Sequence, residues 1–467
     1  MNVLQPRRWT LQTAALVLGP LLFILAQQAA FTPEQNTVFG LVLWMLLWWF
    51  TEAVPLAATA LLPLVVFGVT GTLDDAALAS SYSNPLIFLF MGGFFLARGI
   101  EKHGLHRRLA LAILRRVGKR TDWVLAGVMA ATYGLSLWMS NTATAVMMLP
   151  LTLSLVAHLP GDPDGSDSIA LERSILLGMA WGANIGGIGT LIGTPPNLVY
   201  AGFRSSVLGV DTSFLEWSAV AFPLSLGLLL AAYFTLRAGI TRMDLRSVVW
   251  PKAEPWTSGE KRMLLIFGSV ALAWMGQQFL EPLFAPLGWA IKDQHIGLLG
   301  ALTLFVGSDR HGQRLLTWED AQRIEWGILL LFGGGMALAS GMMASGWLDA
   351  LTALHSWHLP IWAWIFLVTA IAVWSTEFLS NMALVSALLP IVLALSKAQG
   401  IPFETLAVPL TIGASCAFML PMATPPNAVV FASGRLTVGY MARKGAWLNV
   451  WSTLLIAGTF VLLEVLK

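Results

Sequence analysis

The chain has 467 residues, 57% of them hydrophobic and only 11% charged, with mean hydropathy +0.72 and net charge +2. Soluble domains carry about 25% charged residues, so this composition excludes one and predicts a polytopic membrane protein. The single cysteine, Cys416, excludes an intramolecular disulfide and lies in an apolar run, as a small core residue does.

Arg7 and Arg8 precede a long apolar segment without a small-residue cleavage site. That segment is expected to be the first membrane helix rather than a cleaved signal peptide. Membrane helices are predicted near 10–30, 36–50, 52–70, 84–104, 172–202, 214–238, 263–281, 288–307, 324–345, 405–433 and 446–465, about eleven crossings. The 21 tryptophans suit interfacial anchoring. Segments 122–157 and 361–395 differ, because each centres on a Ser-Asn pair, Ser140-Asn141 or Ser380-Asn381. Their arms of roughly 15 residues span about 22 Å as helix, short of a ~30 Å hydrocarbon core. Each is expected to be a re-entrant hairpin.

Lysine and arginine mark cytoplasmic loops. Basic residues cluster at Arg107, Arg108, Arg115, Arg116, Lys119 and Arg120. They recur in the central loop (Arg237, Arg242, Arg246, Lys252, Lys261, Arg262), at Arg310, Arg314 and Arg323, and at Arg435, Arg443 and Lys444. Residues 346–396 hold none. Every cluster falls inside if the N-terminus is cytoplasmic, both hairpins return to their own side, and the C-terminus is outside. A bacterial inner membrane is the expected location.

Three strings recur in order. Gly92-Gly93 matches Gly334-Gly335, Ser140-Asn141-Thr142 matches Ser380-Asn381-Met382, and Gly193-Thr194-Pro195-Pro196-Asn197 matches Ala423-Thr424-Pro425-Pro426-Asn427. The first Gly-Gly helix runs into a basic loop and its partner into a loop without basic residues, so the two cross in opposite senses. The reading is an all-α inverted-topology repeat. Residues 1–241 form the first repeat with its N-terminal helix, 242–262 a cytoplasmic connecting loop, and 263–467 the second repeat. Such repeats place a transporter's site where interrupted helices meet near mid-membrane.

A hairpin tip exposes the N-terminal amides of its second arm, which attract anions. Ser140, Asn141, Thr142, Ser380 and Asn381 add side-chain donors there, while neither hairpin core holds lysine or arginine. Consecutive prolines free the carbonyls before them from helical pairing. Freed carbonyls with hydroxyl and amide oxygens form a hard oxygen shell suited to sodium. The first sodium shell is expected from Ser136, Ser140, Asn141 and the Gly193 carbonyl. The second is expected from Thr376, Asn381 and the carbonyls of Leu379 and Ala423. Ser136 and Thr376 each precede their tip serine by one helical turn. The substrate contacts expected are Ser140, Asn141, Thr142, Thr194, Pro195, Ser380, Asn381, Thr424 and Pro425.

These strings, with Trp49-Phe50-Thr51-Glu52-Ala53-Val54-Pro55-Leu56, Met91-Gly92-Gly93-Phe94 and Gly104-Leu105-His106-Arg107-Arg108, resemble the divalent anion/sodium symporter family from about Trp48 to Leu466. The family includes sodium-coupled dicarboxylate, citrate and sulfate carriers. The resemblance implies a homodimer, a scaffold domain, and a transport domain that carries the site between membrane faces as an elevator. It also implies two central sodium sites and substrate contacts from both tips, with Na⁺ as coupling ion and no organic cofactor. The second tip reads Ser-Asn-Met where the family carries Ser-Asn-Thr, so Met382 removes a hydroxyl or turns into packing.

Sodium-coupled symport of C4-dicarboxylates such as succinate, malate or fumarate is the expected function. A sodium-independent dicarboxylate exchanger, or a citrate or sulfate carrier, is the alternative. No Walker motif, HExxH string or nucleophile–base set is present, so an enzyme or ATP-driven pump is not expected. A channel would need a repeated filter or charged ring. Nothing suggests nucleic acid; membrane lipid and a small dianion are the expected partners. Glu377 is expected to orient the second hairpin, and Glu52 to mark a helix end. Asp162, Asp164 and Asp167 read as a solvated loop rather than a calcium site. His103, His106, His355 and His358 lack companion metal ligands.

Overall fold

Small polar caps start several of the helices. Thr32 with Gln35, Ser213 with Glu216 and Thr257 with Glu260 form reciprocal capping boxes that open Pro33–Thr51, Phe214–Arg237 and Ser258–Met275. The computed structural model describes residues 5–117, 120–157, 166–238, 240–241, 254–347 and 359–466. The described residues form helices and no β-strand. His355, His358, Asp162 and Asp164 lie outside them, as do Lys119, Arg242, Arg246 and Lys252.

Each expected crossing falls on helix, but many are not single rods. Five helices among the described residues are long and apolar enough to cross a membrane. They are Asp75–Lys102, Phe214–Arg237, Trp326–Ala344, Asn381–Gln399 and Val438–Val465. A sixth span would join Ser258–Met275 to Gln277–Leu287 across an 82° bend. The segment expected near 52–70 is split into Leu56–Thr59 and Leu62–Thr70. Glu52 ends the preceding helix rather than opening this one. It sits in the left-handed region at φ 51, the only non-glycine residue there among those described, and Gln12 Nε2 donates to its carbonyl at 3.3 Å. Thr257 caps a helix that begins at Ser258, within the stretch 242–262 expected as the connecting loop.

Both Ser-Asn segments are helix–turn–helix units. The first is Thr121–Ser136 and Asn141–Val156, 16 residues each, about 24 Å per arm. The second is Ile361–Ser375, 15 residues, and Asn381–Gln399, which at 19 residues is longer than expected and ends at Gly400. Both Thr-Pro-Pro-Asn strings restart a helix after a break. Ser166–Ile188 stops before Pro195–Leu208, and Phe403–Ala414 stops before Pro425–Ala432. Proline at the first helical positions needs no N–H partner, and Thr194 and Thr424 hold the extended N-cap conformation before it.

Glycines at helical spacing set how closely the first hairpin meets the first broken helix. A Cβ on Gly182 would lie 2.9 Å from the Met129 carbonyl, and one on Gly186 would lie 2.4 Å from that of Tyr133. Small residues let helix backbones approach where lipid supplies no hydrophobic drive. The second half repeats the contact, with Gly413 against Ala372 and the Thr369 carbonyl.

Ion pairs sort the helix ends into two sets. Arg108 meets Glu260 at 2.7 Å, Lys102 meets Asp320 at 2.6 Å, and Arg435 meets Glu172. Separately, Lys292 meets Asp211 at 3.1 Å, and Arg204 joins Glu216 at 2.9 Å and Glu404 at 3.0 Å. Each of these pairs joins residues that the expected crossing order puts on one side.

Candidate functional site

The turn of each hairpin bends back on itself through its own side chains. Ser136 is fully buried at the end of the first arm; its hydroxyl lies 2.8 Å from Asn141 Oδ1 and 2.7 Å from the Ala183 carbonyl. Thr376 does the same in the second, 2.7 Å from Asn381 Oδ1 and 2.6 Å from the Ala414 carbonyl. A hydroxyl carries one hydrogen and cannot satisfy two acceptors at once. Each cluster therefore gathers three oxygens around one proton, an excess of lone pairs that a hard cation would relieve. Ala183 and Ala414 are absent from the sequence reading. Ala183 lies within Ser166–Ile188 and Ala414 ends Phe403–Ala414, and only the packing brings their carbonyls to a hairpin.

Gly187 and Gly193 close the first cluster. A Cβ on Gly187 would lie 2.3 Å from Asn141 Oδ1, and one on Gly193 would lie 2.5 Å from the Gly187 carbonyl. Gly193 thus lies against the backbone that touches Asn141. Leu379 is half-buried and its amide donates to the Ser375 carbonyl at 3.1 Å, while the Ala423 amide donates to Leu420 O at 3.2 Å.

The breaks are held open by asparagine. Asn197 Nδ2 donates to the carbonyls of Gly187 at 3.1 Å and Thr190 at 2.8 Å. Asn427 Nδ2 donates to those of Ala417 at 3.2 Å and Leu420 at 3.0 Å. The breaks leave these carbonyls with at most a turn-type backbone bond, as from Gly193 to Thr190 and from Ala423 to Leu420, and the asparagine amides supply a further donor.

At this site the two halves are tied by side chains of the first broken helix. Asn184 follows Ala183 and is buried; its Nδ2 lies 3.0 Å from Thr424 Oγ1 and 3.3 Å from both Asn427 Oδ1 and the Ala417 carbonyl. Trp181 adds a bond to the Phe418 carbonyl at 3.1 Å. Neither residue stands out in the sequence, since both lie in an ordinary apolar helix.

Glu377 orients the second break. It is 1% exposed and accepts from the amides of Phe418 at 2.7 Å, Met419 at 2.9 Å and Leu420 at 3.2 Å, and from Asn449 Nδ2 at 2.8 Å. Ten residues, 415–424, separate the second pair of helices and six, 189–194, the first, so more amides need an acceptor in the second half. Gly445 lets the last helix approach; a Cβ there would lie 2.5 Å from the Phe418 carbonyl.

The tip residues themselves are only half-buried. Ser140 caps the second arm, accepting from the Ala143 amide at 3.3 Å. Ser380 holds the same position without a side-chain cap bond. Thr142 is half-buried in the first turn, and Pro195 and Pro425 begin their helices. Thr194 is buried, and Thr424 accepts from the Asn427 amide at 3.4 Å. Met382 is buried, so its thioether is a packing group. A cavity at the first tip is lined by Ser140 and Ala143 together with Arg98, Glu101, Arg323 and Glu325. Arg98 and Glu101 come from Pro85–Lys102, and Arg323 and Glu325 from the turn ahead of Trp326–Ala344, so tip-local sequence carries no sign of them.

The family profile described as the sodium:sulfate symporter transmembrane region matches residues 6–464. The chain belongs to the sodium:sulfate symporter family, the divalent anion/sodium symporters. Family members of similar sequence include the sodium-dependent dicarboxylate transporter SdcS of Staphylococcus saprophyticus, 34% identical over 95% of this chain and 90% of the relative. The protein of the same name from Staphylococcus aureus strain USA300 is 36% identical over the same shares. The YdaH transporter of Alcanivorax borkumensis has a similar fold, with a TM-score of 0.54 at 16% identity, covering 84% of this chain and 89% of that one. This family member is an integral, multi-pass membrane transporter and not an enzyme.

His103 and His106 have structural partners. His103 Nε2 lies 2.9 Å from the Leu315 carbonyl, and His106 Nδ1 lies 3.3 Å from that of Ile100. Among the described residues no group of three or more His, Cys, Asp or Glu is placed to hold a metal ion.

Proposed function

We propose that this chain is a sodium-coupled symporter of C4-dicarboxylates such as succinate, malate and fumarate. One observation carries the reading: the paired oxygen clusters Ser136–Asn141–Ala183 and Thr376–Asn381–Ala414. Each supplies neutral oxygens with spare lone pairs, the donor set that suits sodium in unwound transporter helices. The printed names of the staphylococcal relatives, sodium-dependent dicarboxylate transporters, support the same ion and substrate class.

In this reading the first sodium shell adds Ser140 and the Gly193 carbonyl, and the second adds the carbonyls of Leu379 and Ala423. Substrate carboxylates meet the tips through Ser140, Asn141, Thr142, Ser380 and Asn381, flanked by Thr194, Pro195, Thr424 and Pro425. Helix N-termini and nearby cations then neutralise the dianion. The hairpins and broken helices form a transport domain that moves as an elevator against a scaffold of the remaining helices, within a homodimer. The two halves, 1–241 and 263–467, are inverted repeats. The N-terminus is cytoplasmic and the C-terminus outside, in a bacterial inner membrane.

The test is uptake of labelled succinate into proteoliposomes with a sodium gradient or with choline at matched ionic strength. Uptake that requires sodium and is competed by malate and fumarate is the expected result. Succinate exchange that runs equally in choline would overturn symport in favour of an exchanger. Competition by sulfate or citrate alone would overturn the substrate class.

A further inference from the structure

The cavity at the first tip brings a fixed carboxylate to a proposed substrate contact. Ser140 donates from Oγ to Glu325 Oε1 at 2.9 Å. Glu325 lies just ahead of Trp326–Ala344, 185 residues away in sequence. Three other charged groups face the same cavity: Arg98 and Glu101 from the end of Pro85–Lys102, and Arg323. Arg98 and Glu101 are paired with one another. Glu325 is the carboxylate that meets the tip. A carboxylate bonded to a serine hydroxyl at a helix N-terminus is also the arrangement that a bound carboxylate substrate would present.

We infer that Glu325 competes with the substrate for the Ser140 hydroxyl and so lowers substrate affinity in the conformation described here, an inference that rests on Ser140 being a substrate contact. The hydroxyl has a single hydrogen to donate. When Glu325 takes it, an incoming carboxylate loses that bond and meets a like charge. When the substrate takes it, Glu325 is left beside an anion without its partner. Either way the carboxylate favours departure. Affinity differences of this kind act mostly on the off-rate. Glu325 is therefore a positioning residue for the release step, acting on the substrate through Ser140.

The test is a double-mutant cycle on purified full-length protein, reading labelled succinate binding in sodium. Glu325→Gln keeps the shape and removes the charge that makes this hydrogen bond strong. It is expected to bind succinate about threefold to tenfold more tightly than wild type. Ser140→Ala is expected to bind more weakly, and E325Q to gain less in the S140A background than in wild type. Glu325→Asp, which keeps the charge on a shorter stem, is expected to fall between wild type and E325Q; it stands in for E325Q should that variant fold poorly. Unchanged or weaker binding in E325Q would overturn the inference, as would the same gain with and without S140A. Wild-type affinity in S140A alone would instead overturn the assignment of Ser140 as a substrate contact.

Discussion

Asn184 donates from Nδ2 to Thr424 Oγ1 at 3.0 Å, tying the helix of the first half to the restart of the second. The neighbouring Ala183 carbonyl belongs to the Ser136 cluster, so one peptide separates the first oxygen cluster from the second break. Asn184→Ala leaves Thr424, Asn427 and the Ala417 carbonyl without this donor. Stability is expected to fall by about 1–3 kcal/mol, the cost of unsatisfied buried polar groups. The Hill coefficient for sodium is expected to fall with it. Thermal unfolding in detergent and sodium titration of succinate binding check the two arms; an unchanged Hill coefficient in a folded variant would detach Asn184 from ion coupling.

Asn141→Ala and Asn381→Ala each remove an oxygen from a three-oxygen cluster. Each is expected to weaken sodium binding by about 1.5–3 kcal/mol, the range for hydrogen bonds to charged groups, and to reduce uptake in parallel. Normal sodium dependence in either folded variant would remove that asparagine from the site.

Glu377→Ala strips the amides of Phe418, Met419 and Leu420 of their acceptor. Unfolding free energy is expected to fall by at least about 1–3 kcal/mol. Glu377→Gln keeps one oxygen but turns an NH₂ toward donors, so it is expected to lie between wild type and Ala. Equal melting temperatures for all three proteins would refute the orienting role.

The repeated Gly-Gly pairs divide the work in the same way. A Cβ on Gly92 would lie 2.6 Å from Gly297 C, and one on Gly334 would lie 2.2 Å from the Ala60 carbonyl. On Gly93 and Gly335 the nearest atoms would be 3.4 and 3.6 Å away. Gly92→Ala and Gly334→Ala are expected to destabilise by about 1–3 kcal/mol through overpacking, whereas Gly93→Ala and Gly335→Ala retain the fold. Expression and melting temperature separate the pairs; the reverse order would contradict the matched packing of the two halves.

Binding of sodium and dianion is expected to be mutually favourable, because an anion entering a low-dielectric site needs nearby positive charge. Succinate should bind more tightly in sodium than in choline, and sodium more tightly with succinate present, by equal factors. Calorimetric titration in both orders measures the factors, and equal succinate affinity in sodium and in choline would overturn the coupling.

Local sequence determined the membrane class, the helix-breaking strings and the positions of the two Ser-Asn turns. Hydropathy, proline chemistry and hairpin-arm length act over one or two helical turns, and all can be read along the chain. The pairing of Ser136 with Asn141 and of Thr376 with Asn381 was legible for the same reason, since each pair lies five residues apart. Partners brought from afar were not legible. The Ala183 and Ala414 carbonyls reach the clusters because glycines let helices approach. Asn184 meets Thr424 across 240 residues, and Ser140 meets Glu325 across 185. An asparagine, an alanine carbonyl or a glutamate at a helix end has no local mark of such a role. Only the tertiary packing, which decides which helix faces which, made them parts of the site.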